Sequence, residues 1–150
     1  MKLYTMIGLP GSGKSTFSAK HPEMTVVSTD AIREELFGSA EDQSDPVLVF
    51  QTAYQRIREA LARGRNVIFD ATNTQARCRA DIFKEVPDAF HVAVVMDVPA
   101  EICKARNAAR SRVVPEEVID FMASRFEFPS RREGFNKIII VKEKKHETDE

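Results

Sequence analysis

A glycine-rich segment near the N-terminus constrains the fold of this chain more than any other feature. Residues 8–16 (the P-loop, GLPGSGKST) fit the pattern G-x-x-x-x-G-K-[ST]. An apolar run at residues 3–7 precedes them, and a helix-compatible segment at residues 15–20 follows. Glycines let successive N–H groups point inward, and the following helix N-terminus adds positive potential for phosphate. The segment therefore predicts an α/β fold that binds a nucleotide.

The positions of the P-loop have distinct predicted roles. Lys14 is expected to reach the β- and γ-phosphates, and the Ser15 hydroxyl to hold Mg²⁺. A glycine turn that happens to precede a lysine is the alternative, but the preceding strand and the following Ser-Thr argue against it. The predicted nucleotide-binding residues of the loop are Gly8, Gly11, Ser12, Gly13, Lys14, Ser15 and Thr16.

Apolar runs rich in Val and Ile alternate with helical patterns along the chain. The helical patterns include one that begins near Asp45-Pro46 and stops at Gly64, and one that begins at Pro115. This alternation predicts one domain, residues 1–141, with a central five-stranded parallel sheet and helices on both faces. Residues 142–150 mix charges and predict a solvated, disordered tail. The predicted strands are residues 3–7, 25–28, 66–69, 92–96 and 137–141.

Composition excludes several classes of protein. The 150 residues carry a formal net charge of −1, which argues against a general nucleic-acid coat protein but allows a local anion site. The sequence contains no uncharged apolar run long enough to predict a membrane span, and its N-terminus lacks a signal-peptide pattern. Cys78 and Cys103 form no CxxC pair. We therefore expect a protein of the reducing cytoplasm.

Two acidic positions follow predicted strands, where open α/β sheets gather their ligands. Asp30 follows the second strand, and Arg33 lies one helical turn later; the carboxylate suits deprotonation of an attacking hydroxyl. The alternatives are an N-cap role for Asp30 and a solvated position for Arg33. Asp70 ends the third strand and is a candidate for Mg²⁺ through water. Thr72 and Asn73 are candidates for binding the acceptor, unless this segment is only a turn into a capped helix.

A basic segment, residues 103–112 (the lid), carries Lys104, Arg106, Arg110 and Arg112 and no acid. Arg106 and Arg110 are spaced i, i+4, so they are expected to share a helix face and to repel unless an anion lies between them. A triphosphate supplies that anion, with the arginines closing over the γ-phosphate. A solvated charged face is the alternative.

The N-K-x-D motif of GTPases is absent, and neither apolar run that ends in Asp continues with Glu as in hydrolytic ATPases. The chain thus favours a nucleotide-dependent transferase. In order, GLPGSGKST, STDAIR, DATN and RNAAR resemble the kinase domain of polynucleotide 5′-hydroxyl kinases. The resemblance covers residues 3–141 and includes the segments RFEFP and EGF before the last strand.

This resemblance implies ATP and Mg²⁺ as cofactors and the 5′-hydroxyl of DNA or RNA as acceptor. By its motifs, Asp30 matches the general base and Arg33 the contact to the 3′-phosphate of the acceptor. Arg110 matches the lid arginine that stabilises the transferring phosphoryl group, and Arg106 its partner on the same helix. Lys14 and Ser15 match the phosphate and metal contacts, and Thr72 and Asn73 the Thr-Asn after the third strand.

The chain departs from the pattern of that family at three places. Phage-type members carry an acid where this chain has Ala71, whereas here the acid lies one place earlier, at Asp70, as in the eukaryotic-like form. Ser-Thr-Asp replaces the more typical Asn-Arg-Asp, and no attached phosphatase domain is expected. Two other functions stay open. A small-molecule kinase acting on a sugar, nucleoside or antibiotic would share the chemistry, and a nucleotide-binding regulator would share only the P-loop. A polynucleotide acceptor needs basic residues at its entrance, for which Arg33, Arg77 and Arg79 are the candidates.

Overall fold

The computed structural model describes residues 1–110 and 113–143. Its centre is a five-stranded sheet in the order β2-β3-β1-β4-β5, in which every pair of neighbouring strands is parallel. The predicted α/β fold is thereby confirmed. The strands are β1 (Lys2–Ile7), β2 (Thr25–Ser28), β3 (Val67–Asp70), β4 (Phe90–Asp97) and β5 (Lys137–Lys142).

Local sequence explains where several helices begin and end. The Asp45 side chain accepts a hydrogen bond from the Leu48 N–H at 3.0 Å, and Pro46 occupies the first helical turn. Gly64, with φ +81°, follows the end of the same helix, as predicted. The helices are α1 (Lys14–Ala19), α2 (Thr29–Phe37), α3 (Pro46–Ala62), α4 (Ala76–Glu85), α5 (Ala100–Ala108) and α6 (Glu116–Ser124), with a 3₁₀ turn at Arg131–Glu133.

The sheet is covered on both faces. Leu3 packs with α3 residues such as Ile57, whereas Met6 packs on the other face with Phe17 of α1. Side chains of this size stabilise the fold by about 1.5–3 kcal/mol each when fully buried. A separate apolar cluster around Cys103 and Ile119 joins α5 to α6 beside the P-loop. The core thus anchors the loops that leave the carboxyl ends of the strands.

The strand order places a crevice at the end of β1. From β1 the chain crosses to β2 and β3 on one side, and from β4 it continues to β5 on the other. Such a switch in direction opens a ligand site at the carboxyl edge of a parallel sheet. The Gly8 N–H donates to the Thr72 carbonyl at 2.9 Å, so that the P-loop stays attached to the loop after β3.

The end of the chain differs slightly from the prediction. β5 extends to Lys142, one residue past the predicted domain boundary, and residues 144–150 of the predicted tail lie outside the described residues. Arg112 of the lid also lies outside them. Cys78 and Cys103 are free thiols. Within the described ranges, no helix has both the length and the apolar character that a membrane crossing requires.

Candidate active site

A cleft of about 1080 Å³ opens at the carboxyl edge of the sheet, beside the P-loop. Its lining comes from several parts of the chain, among them the P-loop, the first turn of α2, the segment between α2 and α3, the segment after β3, the lid, α6 and the end of β5. The structure therefore brings together predicted site residues that are widely separated in sequence. Those that line the cleft are Gly11, Ser12, Gly13, Lys14, Ser15, Thr16, Asp30, Arg33, Asp70, Thr72, Asn73, Arg106 and Arg110.

The P-loop adopts a backbone that only glycine accommodates easily. Gly11 and Gly13 have φ values of +84° and +100°. A Cβ at Gly11 would lie 2.4 Å from the Cys103 carbonyl oxygen, so the loop packs directly against the backbone of α5. No side chain caps the N-terminus of α1. The N–H groups of that first turn thus face the cleft without a side-chain acceptor, which suits phosphate oxygens.

The Lys14 ammonium group folds back over the P-loop. Its Nζ donates to the carbonyl oxygens of Gly8 and Leu9, each at 2.9 Å. Burial lowers the pKa of Lys14 to about 8, although the nearby Asp70 carboxylate opposes this shift. A phosphate anion would stabilise the charged form, so binding of a nucleotide is coupled to protonation of this amine.

We expect nucleotide affinity to fall above pH 8. Below that pH the Lys14 amine is already charged; between pH 8 and its ordinary pKa of 10.5, binding must take up a proton. The dissociation constant should therefore rise by up to about tenfold per pH unit. Calorimetric titration of ADP from about pH 7 to about pH 9.5 measures this. Lys14→Arg, which stays charged, should flatten the profile, and an unchanged slope in that variant would contradict the assignment.

Asp30 lies in the first turn of α2 and holds Arg33. The Arg33 Nη1 donates to the Asp30 Oδ1 at 2.8 Å. The alternative that Asp30 is the helix cap is wrong, because the Ser28 side chain is the N-cap and accepts from the Ala31 N–H at 3.2 Å. Arg33 is mostly buried rather than solvated, and its Nε is buried without a hydrogen-bond partner among the described residues. The carboxylate is thus oriented by the guanidinium and faces the cleft.

Asp70 lies in the same cleft at the end of β3, in register with Ser28 at the end of β2. Burial raises the pKa of the Asp70 carboxyl. The positive charge of Lys14 opposes this shift, the negative charge of Asp30 adds to it, and the positive charge of Arg110 again opposes it. These mutual effects show that the two carboxylates and the two cations act on one another across the cleft.

Mg²⁺ suits this set of groups, since it is usually held by one or two carboxylates together with substrate phosphates. Ser15 and Asp70 are the residues that would hold it. The remaining ligands would come from phosphate and water, because the described residues contain no group of three or more His, Cys, Asp or Glu side chains placed to hold a metal. A cation beside Asp70 would also stabilise its charged form, which burial and, to a smaller extent, the Asp30 carboxylate disfavour.

The turn after β3 is held by a buried network that the sequence did not predict. The Asn73 Nδ2 donates to the Met6 carbonyl at 3.0 Å, and the backbone there is left-handed, with φ +49°. The Arg79 Nη1 donates to the Asn73 carbonyl at 2.8 Å, and its Nε and Nη2 bind the two Glu133 carboxylate oxygens at 2.9 and 3.0 Å. Arg79 is fully buried, so the expectation that it lines an acceptor entrance is wrong.

Loss of Arg79 should destabilise the protein strongly. Arg79→Met would remove the Arg79 donor of the Asn73 carbonyl and the two N–H groups by which Arg79 binds the Glu133 carboxylate, at a cost of about 3–5 kcal/mol in the free energy of unfolding. Urea denaturation measures the loss. Arg77→Met is the matched control, because Arg77 is exposed on the same helix and should change stability by less than about 0.5 kcal/mol. Equal stability of the two variants would show that the network is dispensable.

The lid differs from its prediction in one important respect. α5 ends at Ala108, so Arg110 lies beyond the helix and does not share its face with Arg106. The Arg106 guanidinium is paired with the Glu143 carboxylate just after β5, which offsets repulsion without any bound anion. Arg106 still borders the P-loop: its Nη1 lies 3.9 Å from the position of a Cβ built on Gly13.

Asn107 was also missed by the sequence analysis. Its side chain is buried and makes two hydrogen bonds to one residue, donating to the Val114 carbonyl at 2.6 Å and accepting from the Val114 N–H at 3.0 Å. The pair closes the chain between α5 and the segment that leads into α6. A buried Asn inside a cationic stretch has no sequence pattern of its own, so only the structure reveals this role.

Comparison with known proteins identifies the family. A family model described as an AAA domain, AAA_33, matches residues 3–129. The chain belongs to this family. As a member of AAA_33 it is a P-loop kinase domain, in agreement with the parallel sheet and the phosphate loop.

Relatives of this AAA_33 domain act on different acceptors, according to their names. L-seryl-tRNA(Sec) kinase of Methanococcus maripaludis is 30% identical over 141 residues, which are 87% of this chain and 54% of that protein. The chain thus spans about half the length of that curated relative. A chain of the Pnkp1/Rnl/Hen1 RNA repair complex is 26% identical, with a TM-score of 0.73, over 83% of this chain and 43% of its own. A sugar kinase from Janibacter sp. HTCC2649 shares the fold, with 17% identity, a TM-score of 0.70 and coverage of 95% and 85%.

Proposed function

We propose that the protein transfers the γ-phosphoryl group of ATP to the 5′-hydroxyl end of DNA or RNA. The observation that carries this proposal is the Asp30–Arg33 pair, joined at 2.8 Å, in the same cleft as Lys14 and the lid arginines. A base, a phosphate cradle and cationic side chains in one cleft are the parts that phosphoryl transfer needs.

In the reaction, the Asp30 carboxylate accepts the proton of the acceptor hydroxyl. The hydroxyl oxygen forms a bond to the γ-phosphorus while the bond to the β–γ bridging oxygen breaks, and ADP leaves. Lys14 and Arg110 stabilise the negative charge on the transferring group, and Arg106 closes the cleft against water. Mg²⁺, when bound, supplies further charge neutralisation. Positioning and electrostatics do most of this chemistry.

A nucleic-acid acceptor is supported by the position of Arg33. The side chain borders the cleft one turn after the proposed base, so a phosphate on the acceptor could bind it while the hydroxyl reaches Asp30. The similarity to a chain of an RNA repair complex supports the same choice of acceptor.

A small hydroxylated acceptor is the second candidate. Glu41 and Gln43, in the segment between α2 and α3, line the same cleft as Asp30. The Glu41 carboxylate and the Gln43 amide oxygen accept hydrogen bonds from sugar hydroxyls, and the negative charge of Glu41 disfavours a phosphodiester. This observation makes a sugar or nucleoside the main competitor of the nucleic-acid end.

Incubation with γ-labelled ATP tests the proposal. The acceptors are 5′-hydroxyl oligonucleotides of DNA and RNA, matched 5′-phosphorylated oligonucleotides, common sugars and nucleosides. We expect label only on the 5′-hydroxyl oligonucleotides. Label on a sugar or nucleoside alone would favour the second candidate, and no transfer to any acceptor would favour a nucleotide-binding regulator.

Arg33→Gln should weaken acceptor binding selectively. If the guanidinium holds an acceptor phosphate, the KM for the oligonucleotide should rise by about 10-fold or more, because a charged hydrogen bond is worth about 1.5–3 kcal/mol. The KM for ATP should change little. Steady-state kinetics with each substrate varied in turn measures this, with the exposed Arg132→Gln as control. A rise confined to the ATP KM would place Arg33 on the nucleotide instead.

A further inference from the structure

A second groove, of about 550 Å³, lies along the open edge of the sheet (the β2 groove). All four residues of β2 line it, together with residues of α2, of α3 and of the segment between α3 and β3. Among the described residues, β2 pairs with β3 alone, so its other edge carries no neighbouring strand. The residues that line this groove are different from those that line the active-site cleft. The groove is thus separate from the cleft already described.

The β2 groove is predominantly cationic. It is lined by Arg56, Arg63 and Arg65 and by one acidic side chain, Glu59. Arg56 is paired with Glu35 of α2, and the Arg65 Nε donates to the Thr25 hydroxyl at 2.5 Å. These contacts hold the two guanidinium groups at the rim. Within residues 1–110 and 113–143, no hydrogen bond or ion pair involves the Arg63 side chain, which is exposed.

An apolar side chain lines the groove together with the arginines. Val26, in the middle of β2, is 45% exposed and lines it. An apolar side chain beside arginines suits a ligand that alternates flat, partly apolar groups with anions. A nucleic acid single strand has this alternation of bases and phosphates.

The groove and the active-site cleft share one wall, the first turn of α2. Asp30 and Arg33 face the cleft, whereas Ser28, Ala31 and Ile32 line the groove. An α-helix is about 10 Å across, so a chain that leaves the cleft beside Arg33 reaches the groove by passing over a single helical turn. The four residues of β2 then extend for about 13 Å away from the carboxyl edge.

We propose that the β2 groove binds the phosphodiester backbone of a nucleic acid acceptor, downstream of the nucleotide whose 5′-hydroxyl lies at Asp30. The inference rests on the proposed function and extends it: the enzyme reads the acceptor as a strand of several nucleotides. Arg63 supplies the principal phosphate contact, and Arg56 and Arg65 flank it. A very short acceptor fills only the cleft and does not reach the groove.

The test compares the unmodified protein with Arg63→Ala and Arg63→Glu. Binding of a 3′-fluorescein-labelled 5′-hydroxyl oligodeoxynucleotide of about 12 residues is followed by anisotropy at several salt concentrations. Each lost phosphate contact should reduce the slope of log K against log salt by about 0.7 on a single strand. The KM for the same oligonucleotide should rise several-fold in Arg63→Ala and further in Arg63→Glu. The KM for a nucleoside 3′-phosphate acceptor and for ATP should stay unchanged.

Arg132→Glu, on the exposed 3₁₀ turn, is the matched control for a general change in net charge and should leave both the slope and the KM unchanged. If the unmodified protein phosphorylates the oligonucleotide and the Arg63 variants retain its slope and KM, the groove has no part in acceptor binding. The edge of β2 would then be left to pair with an extended peptide. If the unmodified protein labels no oligonucleotide, the proposed acceptor itself is wrong, which is a distinct result.

Discussion

Asp30→Asn is expected to lower the kcat for phosphoryl transfer by about 10²–10⁴-fold, the range for loss of a general base. The amide keeps the size of the side chain and can still accept the Arg33 hydrogen bond, which is 2.8 Å long, but it cannot take up the proton of the acceptor hydroxyl. Nucleotide binding should be nearly unaffected, because Lys14 and the P-loop backbone are untouched. The dissociation constant of ADP should therefore stay within a few-fold.

Single-turnover kinetics with γ-labelled ATP separates this loss from a slow product release. Asp81→Asn is the control, since Asp81 is an exposed carboxylate on α4. Turnover of Asp30→Asn at the rate of the unmodified protein would refute the role of Asp30 as base. A parallel loss of ADP affinity would indicate that Asp30 acts on the nucleotide rather than on the acceptor.

Arg110→Ala should lower kcat by about 10³-fold or more if this side chain stabilises the transferring phosphoryl group. Arg110 lies beyond the end of α5 and lines the cleft. Its positive charge acts to lower the pKa of both Lys14 and Asp70. A guanidinium that contacts the phosphoryl oxygens mainly in the transition state affects kcat more than substrate binding. The KM for ATP should therefore change much less than kcat.

Arg110→Lys and Lys104→Ala are the two comparison variants. The lysine variant should recover only part of the rate, because an ammonium group lacks the planar fork of the guanidinium. Lys104 lies on α5 but pairs outward with Glu101 and Asp120, so its loss should leave kcat unchanged. A loss of thermal stability without a loss of kcat in Arg110→Ala would assign that residue to the structure alone.

Much of the fold follows from local patterns in the sequence. The five strands are apolar runs of a parallel sheet, of which β1, β3 and β4 are mostly buried, and their observed bounds lie within two residues of those predicted. The P-loop is also recognisable from the sequence, because binding a phosphate group requires its glycines and Lys14 at a fixed spacing. Helix α3 was predicted for a similar reason, since Asp45, Pro46 and Gly64 mark its two ends.

The parts that escaped prediction depend on contacts between distant segments. α4 begins without a side-chain cap, so nothing in its first turn marks the start. Arg79 resembles any helix arginine until the fold brings Glu133 to it across 54 positions. The sequence pattern likewise indicates neither that α5 ends at Ala108 nor that Asn107 binds Val114, seven residues further along the chain. The prediction that Arg106 and Arg110 share a helix face required α5 to continue to Arg110, but the helix ends at Ala108.

The clasp between Asn107 and Val114 has a consequence for how such chains can diverge. The Asn107 side chain joins the end of α5 to Val114 through two hydrogen bonds, so these two positions are held together independently of the residues between them. Residues could be added between them without displacing Arg106 or the start of α6, since closing a longer loop costs only about 0.6 kcal/mol per doubling of its length. A change of length at this point is thus an evolutionarily inexpensive way to reshape the wall of the cleft.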